Sequence, residues 1–121
     1  MKTILLAEDD PFIVDIYASQ FRAEGYKVDI AKDGKIAIDR VKASIPDLLM
    51  LDISLPQLNG WDVLRMIRED QKTKHLKVII VSNLNQKDAP PDYPKLGVLQ
   101  YFLKVETTPE EIVNAVKEIL K

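Results

Sequence analysis

The sequence has 121 residues but no cysteine and only one histidine. Without cysteine the chain can form no disulfide bond, no thiolate metal site and no cysteine nucleophile. The single histidine, His75, lies in the polar segment DQKTKHLK, which is typical of a solvated loop and gives no context for a phosphodonor. The chemistry of this protein must therefore depend on other side chains.

A strong charge of either sign and a long apolar run are also missing. The formal net charge is only -2, which argues against a basic face for nucleic acid. The apolar run at residues 4–7 is too short for a signal peptide, and no segment approaches the ~20 apolar residues of a membrane-spanning helix. These absences favour a cytoplasmic protein that does not associate with a membrane and forms one domain, residues 1–121.

Short apolar segments alternate with amphipathic ones along the chain. The short segments predict five β-strands, at residues 3–7, 27–31, 48–52, 78–82 and 100–104. Four are almost continuously apolar, as in strands covered on both faces, whereas KVDIA alternates and suits an edge strand. The amphipathic segments predict helices over about 11–24, 35–43, 60–70 and 109–120; the apolar stripe of the first includes Tyr17 and Phe21. This alternation predicts an α/β fold with a parallel sheet.

The segment NQKDAPPDYPKLG, residues 85–97, interrupts the alternation. A helix is expected at this point, but the segment contains three prolines, and a proline inside a helix costs ~3 kcal/mol or more. We therefore expect a loop with at most one helical turn, near Lys87 or over residues 94–96, so that the fourth helix is short or broken.

Polar residues follow four of the predicted strands at the point where each strand ends. They are Glu8, Asp9 and Asp10, then Asp52, then Ser82 and Asn83, and finally Lys104. Parallel strands place all of these at one edge of the sheet, where open α/β proteins bind ligands. Each of these residues also has a structural alternative. Asp10, for example, precedes Pro11 and is a good helix cap. Crowded carboxylates need a cation to stay ionised, and their hard oxygens suit Mg²⁺.

The motifs ILLAEDDP, PDLLMLDISLPQLNG, VIIVSN and YFLK resemble, in order and spacing, the receiver domain of two-component response regulators. The resemblance extends over essentially the whole chain. It implies a flavodoxin-like, doubly wound, five-stranded parallel sheet in the order 2-1-3-4-5, with helices on both faces. It also implies that Asp52 accepts a phosphoryl group from a histidine kinase or a histidine phosphotransfer protein, in a reaction that requires Mg²⁺.

The same resemblance implies a role for each residue of the site. The Mg²⁺ ligands would be Glu8, Asp9, Asp52 and the backbone carbonyl of Ser54; Lys104 and Ser82 would contact the phosphoryl group; Ser82, Asn83 and Tyr101 would form the switch. The domain would support its own phosphorylation and dephosphorylation, but it would be a signalling phosphoprotein and not an enzyme. Its output would be a downstream protein target or a fused domain, without direct nucleic-acid binding. Homodimer formation stays open, as does whether the chain is a whole protein or an excised domain.

Two positions depart from the family pattern. Val105 follows Lys104 where the family has a proline after a cis peptide bond. We expect a cis Lys104–Val105 bond, although it costs ~2.5–4 kcal/mol, because the lysine must still reach Asp52. Asn83 stands where the family favours a small residue, and its bulk predicts a long-lived phosphorylated form.

Three other functions are compatible with parts of this pattern. A receiver-like protein-binding module would act without phosphorylation. An aspartate-nucleophile phosphatase would need a second acid two residues after Asp52, where this chain has Ser54. A flavin carrier would need a glycine- and hydroxyl-rich loop after the first strand, where this chain has three acids.

Overall fold

The computed structural model describes all 121 residues and contains one five-stranded parallel sheet. Its strands are β1 (Thr3–Ala7), β2 (Lys27–Ala31), β3 (Leu48–Leu51), β4 (Val78–Ser82) and β5 (Gln100–Leu103). They pair in the order β2-β1-β3-β4-β5. The expected order is confirmed, and the alternating strand β2 lies at an edge.

Four α-helices connect or follow these strands. They are α1 (Pro11–Ala23), α2 (Gly34–Ala43), α3 (Gly60–Glu69) and α4 (Pro109–Ile119). Each begins beside a side chain that accepts a hydrogen bond from the backbone of the first turn; these caps are Asp10, Asp33, Asn59 and Thr108. The caps satisfy amide groups that helix geometry leaves without partners. None of the helices combines the length and apolar character that crossing a bilayer requires.

The sheet is covered on both faces, and each face has its own apolar core. Strand β3 shows how one sequence serves both, because successive side chains of a strand point to opposite faces. Leu49 and Leu51 pack with α2 and α3, whereas Leu48 and Met50 pack with α1 and α4. All four are at most 2% exposed. The continuous apolar run of β3 is therefore explained by burial on both sides.

The proline-containing segment between β4 and β5 forms two turns of 3-10 helix, Gln86–Asp88 and Tyr93–Lys95. The sequence predicted at most one turn, so that expectation was wrong in number, although both turns lie where one was expected. Each turn is closed by a backbone hydrogen bond between residues three positions apart. These bonds run from Ala89 N to Gln86 O and from Leu96 N to Tyr93 O, both 3.0 Å. Such a turn needs few backbone donors, so the prolines do not prevent it.

Two arginines of α3 hold this segment against the domain. Arg65 donates from Nε and Nη2 to the two carboxylate oxygens of Asp92, at 2.8 and 3.0 Å. Arg68 donates to the carbonyl oxygens of Leu96 (2.7 Å) and Gly97 (3.2 Å). Side-chain contacts with α3 thus determine the position of a segment that lacks a regular helix.

The start of α2 packs tightly on the loop that follows β3. A Cβ atom on Gly34 would lie 1.9 Å from the carbonyl oxygen of Leu58. We expect Gly34→Ala to lower the free energy of unfolding by about 1–3 kcal/mol, the usual cost of overpacking. This reverses the gain of up to ~1 kcal/mol that alanine normally brings over glycine inside a helix. Urea unfolding would measure the change.

The matched control is Lys35→Ala, at the next and exposed position of α2. Its effect should stay within about 0.5 kcal/mol, as for other surface substitutions. A Gly34→Ala protein as stable as the control would show that the Leu58 loop moves aside at little cost.

Candidate functional site

Three carboxylates meet at the carboxyl edge of the sheet. Glu8 and Asp9 follow β1 directly, and Asp52 follows the neighbouring strand β3. Backbone pairing continues one residue past the strands, since Asp52 N donates to Ala7 O at 3.0 Å. One carboxylate oxygen from each acid lies within 4.8 Å of those of the other two. Glu8 and Asp52 are buried and Asp9 is exposed, so the cluster lies at the boundary between the core and solvent.

Lys104 provides the positive charge of the cluster. Its Nζ lies 2.5 Å from Glu8 Oε1 and 2.9 Å from Asp52 Oδ2. The expected pairing with Asp52 is present, and the structure adds the contact with Glu8. The expectation of a cis Lys104–Val105 bond was wrong, because the chain contains no cis peptide bond. After β5 the backbone turns into a short 3-10 helix, Lys104–Glu106, and the long lysine side chain reaches the acids without an unusual bond.

The three groups titrate as a unit. Burial raises the pKa of Glu8 to about 8; the neighbouring Asp52 contributes in the same direction, and Lys104 opposes it. Burial alone would also raise the pKa of Asp52, but hydrogen bonds from Glu8 and Lys104 and the lysine charge lower it overall. Burial disfavours the ammonium of Lys104, yet the two acids outweigh it and raise its pKa. Burial and Asp52 thus favour the neutral form of Glu8, whereas Lys104 favours the ionised form of Asp52.

The two predicted switch residues on β4 and β5 both contact Leu84. Ser82 is fully buried, and its Oγ accepts a hydrogen bond from Leu84 N at 3.2 Å. The Tyr101 hydroxyl donates to the carbonyl oxygen of Leu84. The Tyr101 ring packs against Trp61 and Tyr93, with centroids 6.5 and 6.2 Å away. The two side chains are thus connected through one residue of the loop after β4.

The remaining predicted residues lie near this cluster. Ser54 N donates to Asp52 Oδ1 at 3.1 Å, which holds the carboxylate in one orientation. The role expected for the Ser54 carbonyl, as a metal ligand, stays a prediction. Asn83 is exposed and follows Ser82 directly.

Tyr17 is a residue of the site that the sequence did not indicate. The sequence placed it in the apolar stripe of α1, and the structure buries it to 5% exposure in the core. It also lines a small cavity together with Glu8, Asp52 and Lys104. The one available signal was a hydroxyl group in an otherwise apolar stripe, two helical turns after the acids.

The cluster has the donors that a hard divalent cation requires. Mg²⁺ binds through one or two carboxylates, waters and phosphate oxygens, and it needs oxygen ligands near one another. Glu8, Asp9 and Asp52 provide such oxygens, and exposure at Asp9 leaves room for further ligands. The residues present therefore fit Mg²⁺ beside an ionised aspartate.

Comparison with known proteins gives one consistent family. A family model described as the response regulator receiver domain matches residues 4–117. The response regulator ArlR of Staphylococcus saprophyticus is 31% identical over 121 residues, which are 100% of this chain and 53% of that protein. The polar-differentiation response regulator DivK of Brucella ovis is 25% identical over 119 residues, 98% of this chain and 96% of that protein. The chain thus spans about half of ArlR and nearly all of DivK.

Solved structures agree with this result. The response regulator TrrA of Thermotoga maritima, in complex with Mg²⁺ and BeF, has a TM-score of 0.82 and 29% identity, with 98% of each chain covered. A CheY-like receiver domain from Methanospirillum hungatei has a TM-score of 0.88 and 25% identity, with 99% of this chain and 94% of that chain covered. The family match, the sheet order and the solved structures lead to one conclusion: this chain belongs to the response regulator receiver domain family.

Proposed function

We propose that this receiver domain accepts a phosphoryl group on Asp52 in a Mg²⁺-dependent reaction and then changes the surface it presents to a partner. The observation that carries this proposal is the cluster of Glu8, Asp9, Asp52 and Lys104. It combines an ionised, oriented carboxylate, oxygen ligands for a cation and an ammonium group within one small volume.

The chemistry expected of Asp52 is nucleophilic attack on phosphorus. Its lowered pKa keeps the carboxylate ionised at neutral pH, and Ser54 N and Lys104 Nζ each hold one of its oxygens. The new bond joins a carboxylate oxygen to phosphorus, and the bond from phosphorus to the donor histidine breaks as that nitrogen leaves. Because phosphoryl transfer depends mainly on positioning and charge stabilisation, a rigid acceptor is an advantage.

Charge on the phosphoryl oxygens would be balanced by two groups. When bound at Glu8, Asp9 and Asp52, Mg²⁺ would neutralise part of this charge. Lys104 Nζ would exchange its contact with Asp52 for one with a phosphoryl oxygen, since it already lies 2.9 Å from the acceptor carboxylate.

The switch would start at Ser82. Its Oγ accepts a hydrogen bond from Leu84 N, and after phosphorylation its hydroxyl would donate to a phosphoryl oxygen. A shift of Ser82 toward Asp52 would pull on Leu84, whose carbonyl holds the Tyr101 hydroxyl. A local charge change would thus alter the position of Tyr101 and of the loop after β4.

The surface that would change is formed by the segment between β4 and β5. This segment contains two short 3-10 turns within residues 86–95 in place of a regular helix. We infer a protein partner or a fused output domain for this surface. The donor, a histidine kinase or a histidine phosphotransfer protein, would dock near Phe12 and Val105, two apolar side chains that follow the site residues and are 79% and 78% exposed. Such donors act in the cytoplasm, where we place this protein.

Phosphorylation is tested by incubating the protein with acetyl phosphate and measuring its intact mass. We expect wild type to gain one phosphoryl group only when Mg²⁺ is present, because the phosphoryl charge must be balanced. Asp52→Asn should gain none. The matched control, Asp39→Asn at an exposed position of α2, should behave as wild type. If wild type and Asp52→Asn gained the group equally, the acceptor would lie elsewhere; if neither gained it, a protein-binding module would take precedence.

Mg²⁺ affinity should depend on pH through Glu8. Since its pKa is raised to about 8, Mg²⁺ must displace a proton from this carboxyl group at neutral pH. The apparent affinity should therefore rise as the pH increases toward 8 and level off above it, by at most about tenfold per pH unit. Isothermal titration calorimetry at several pH values would measure this, and Glu8→Gln should flatten the dependence. If the Mg²⁺ affinity of wild type did not change with pH over this range, protonation of Glu8 would have no role in Mg²⁺ binding.

Asn83 should protect the phosphorylated form. Its side chain is exposed beside Ser82, where it can restrict the approach of water to the phosphoryl group. We expect Asn83→Ala to lose its phosphoryl group several-fold faster than wild type, as followed by mass after removal of the donor. Asn114→Ala, an exposed position of α4, is the control and should keep the wild-type rate. Equal half-lives for all three proteins would refute this role.

A further inference from the structure

The ammonium group of Lys104 has one donor more than the protein uses. A lysine ammonium carries three N–H groups, and Nζ of Lys104 makes two hydrogen bonds, to Glu8 and Asp52. The side chain is only 14% exposed, so its third donor has little bulk water available. A buried charged donor without a partner is costly, which makes the neighbourhood of this third N–H important.

The Tyr17 hydroxyl also lacks a hydrogen-bond partner in the protein. Tyr17 is only 5% exposed, and its hydroxyl makes no hydrogen bond with the protein. No fully enclosed side-chain nitrogen or oxygen lacks a partner, so the Tyr17 hydroxyl must still reach space that water can occupy. Burial raises the pKa of Tyr17, while the charge of Lys104 lowers it and that of Glu8 raises it. The hydroxyl therefore stays protonated and lies within electrostatic reach of the ammonium group.

Both residues line the same small pocket. Tyr17 and Lys104 both line it, together with Glu8 and Asp52, and its volume is about 10 Å³. That volume corresponds to about one water molecule, and a buried water needs two to four polar partners. The other lining residues are apolar: Leu6, Ala7, Ile13, Met50 and Val81. The polar side chains of the lining are thus those of the two acids, the lysine and the tyrosine.

We propose that one water binds in this cavity between the Tyr17 hydroxyl and the third N–H of Lys104, and that Tyr17 is thereby a positioning residue for the lysine. The water accepts a hydrogen bond from Lys104 Nζ and bonds the Tyr17 hydroxyl, and a carboxylate oxygen of Glu8 or Asp52 accepts from it. Each polar group that lacked a partner then has one. The functional part of this proposal rests on the proposed phosphorylation of Asp52.

This anchor matters most after phosphorylation. Lys104 then gives up its contact with the Asp52 carboxylate for a phosphoryl oxygen, while the water keeps the ammonium group attached to α1 through Tyr17. A lysine held in this way loses less freedom when it binds the phosphoryl group, which increases the affinity of the site for a phosphoryl-like anion. The alternative is that Tyr17 only fills the core, in which case its ring matters and its hydroxyl does not.

The test measures binding of Mg²⁺ and beryllofluoride, a phosphoryl analogue, to wild type, Tyr17→Phe, Lys104→Met and the double variant. Tyr17→Phe keeps the ring and should weaken binding roughly threefold to tenfold, the effect of one hydrogen bond. In the Lys104→Met background the same substitution should have no further effect, because the group that the water positions is gone. Tyr26→Phe, a partly buried tyrosine packed on Phe21, is the control and should bind as wild type.

Two binding results would overturn the role of Tyr17. Wild-type affinity in Tyr17→Phe would show that the hydroxyl has no role, and an equal loss in the Lys104→Met background would show a general structural effect. A high-resolution crystal structure of wild type tests the water itself, whether or not the domain binds beryllofluoride. Density for a water between Tyr17 and Lys104 supports the site, and its absence rejects it. If wild type bound no beryllofluoride, the phosphorylation proposal and the role of Tyr17 in it would fail. The water site would still be tested by the density alone.

Discussion

The structure depends on the charge balance among Glu8, Asp52 and Lys104 at the carboxyl edge of the sheet. Two acids and one ammonium group are almost fully removed from water there. Charges can be buried only when they are paired and hydrogen-bonded. Lys104 contacts both acids, and the pKa of Glu8 is raised while that of Asp52 is lowered. Because the three residues follow β1, β3 and β5, this interaction also ties the edges of three strands together.

The elements on the two sides of this cluster are held by different kinds of contact. Strand β3 is buried on both faces and delivers Asp52 as a fixed extension of the sheet. Across the site, the chain between β4 and β5 is held by side chains: Tyr101 on Leu84, and Arg65 and Arg68 on the 3-10 segment. Leu96 of this segment is part of the apolar core, and Leu84, Tyr93 and Tyr101 pack against it.

The sequence predicted much of this arrangement because its signals were local. Apolar runs showed the strands, and capping residues such as Asp10 and Thr108 marked helix starts. The motifs identified the family, and with it the sheet order. The failures concern backbone conformations and packing that the sequence pattern does not encode. The bond after Lys104 is trans and not cis, the proline segment forms two turns and not one at most, and the cavity beside Tyr17 gave no signal.

By itself the sequence determined the strands and helices, the acids at the strand ends and the lysine that could balance them. These follow from hydrophobic periodicity and from the side chains present, which act at short range. Only the tertiary structure decided that Lys104 contacts Glu8 as well as Asp52, which acid has the raised pKa, and that a tyrosine of α1 lines the same cavity. These facts arise from burial and from distances between residues up to 96 positions apart, and no local pattern encodes them.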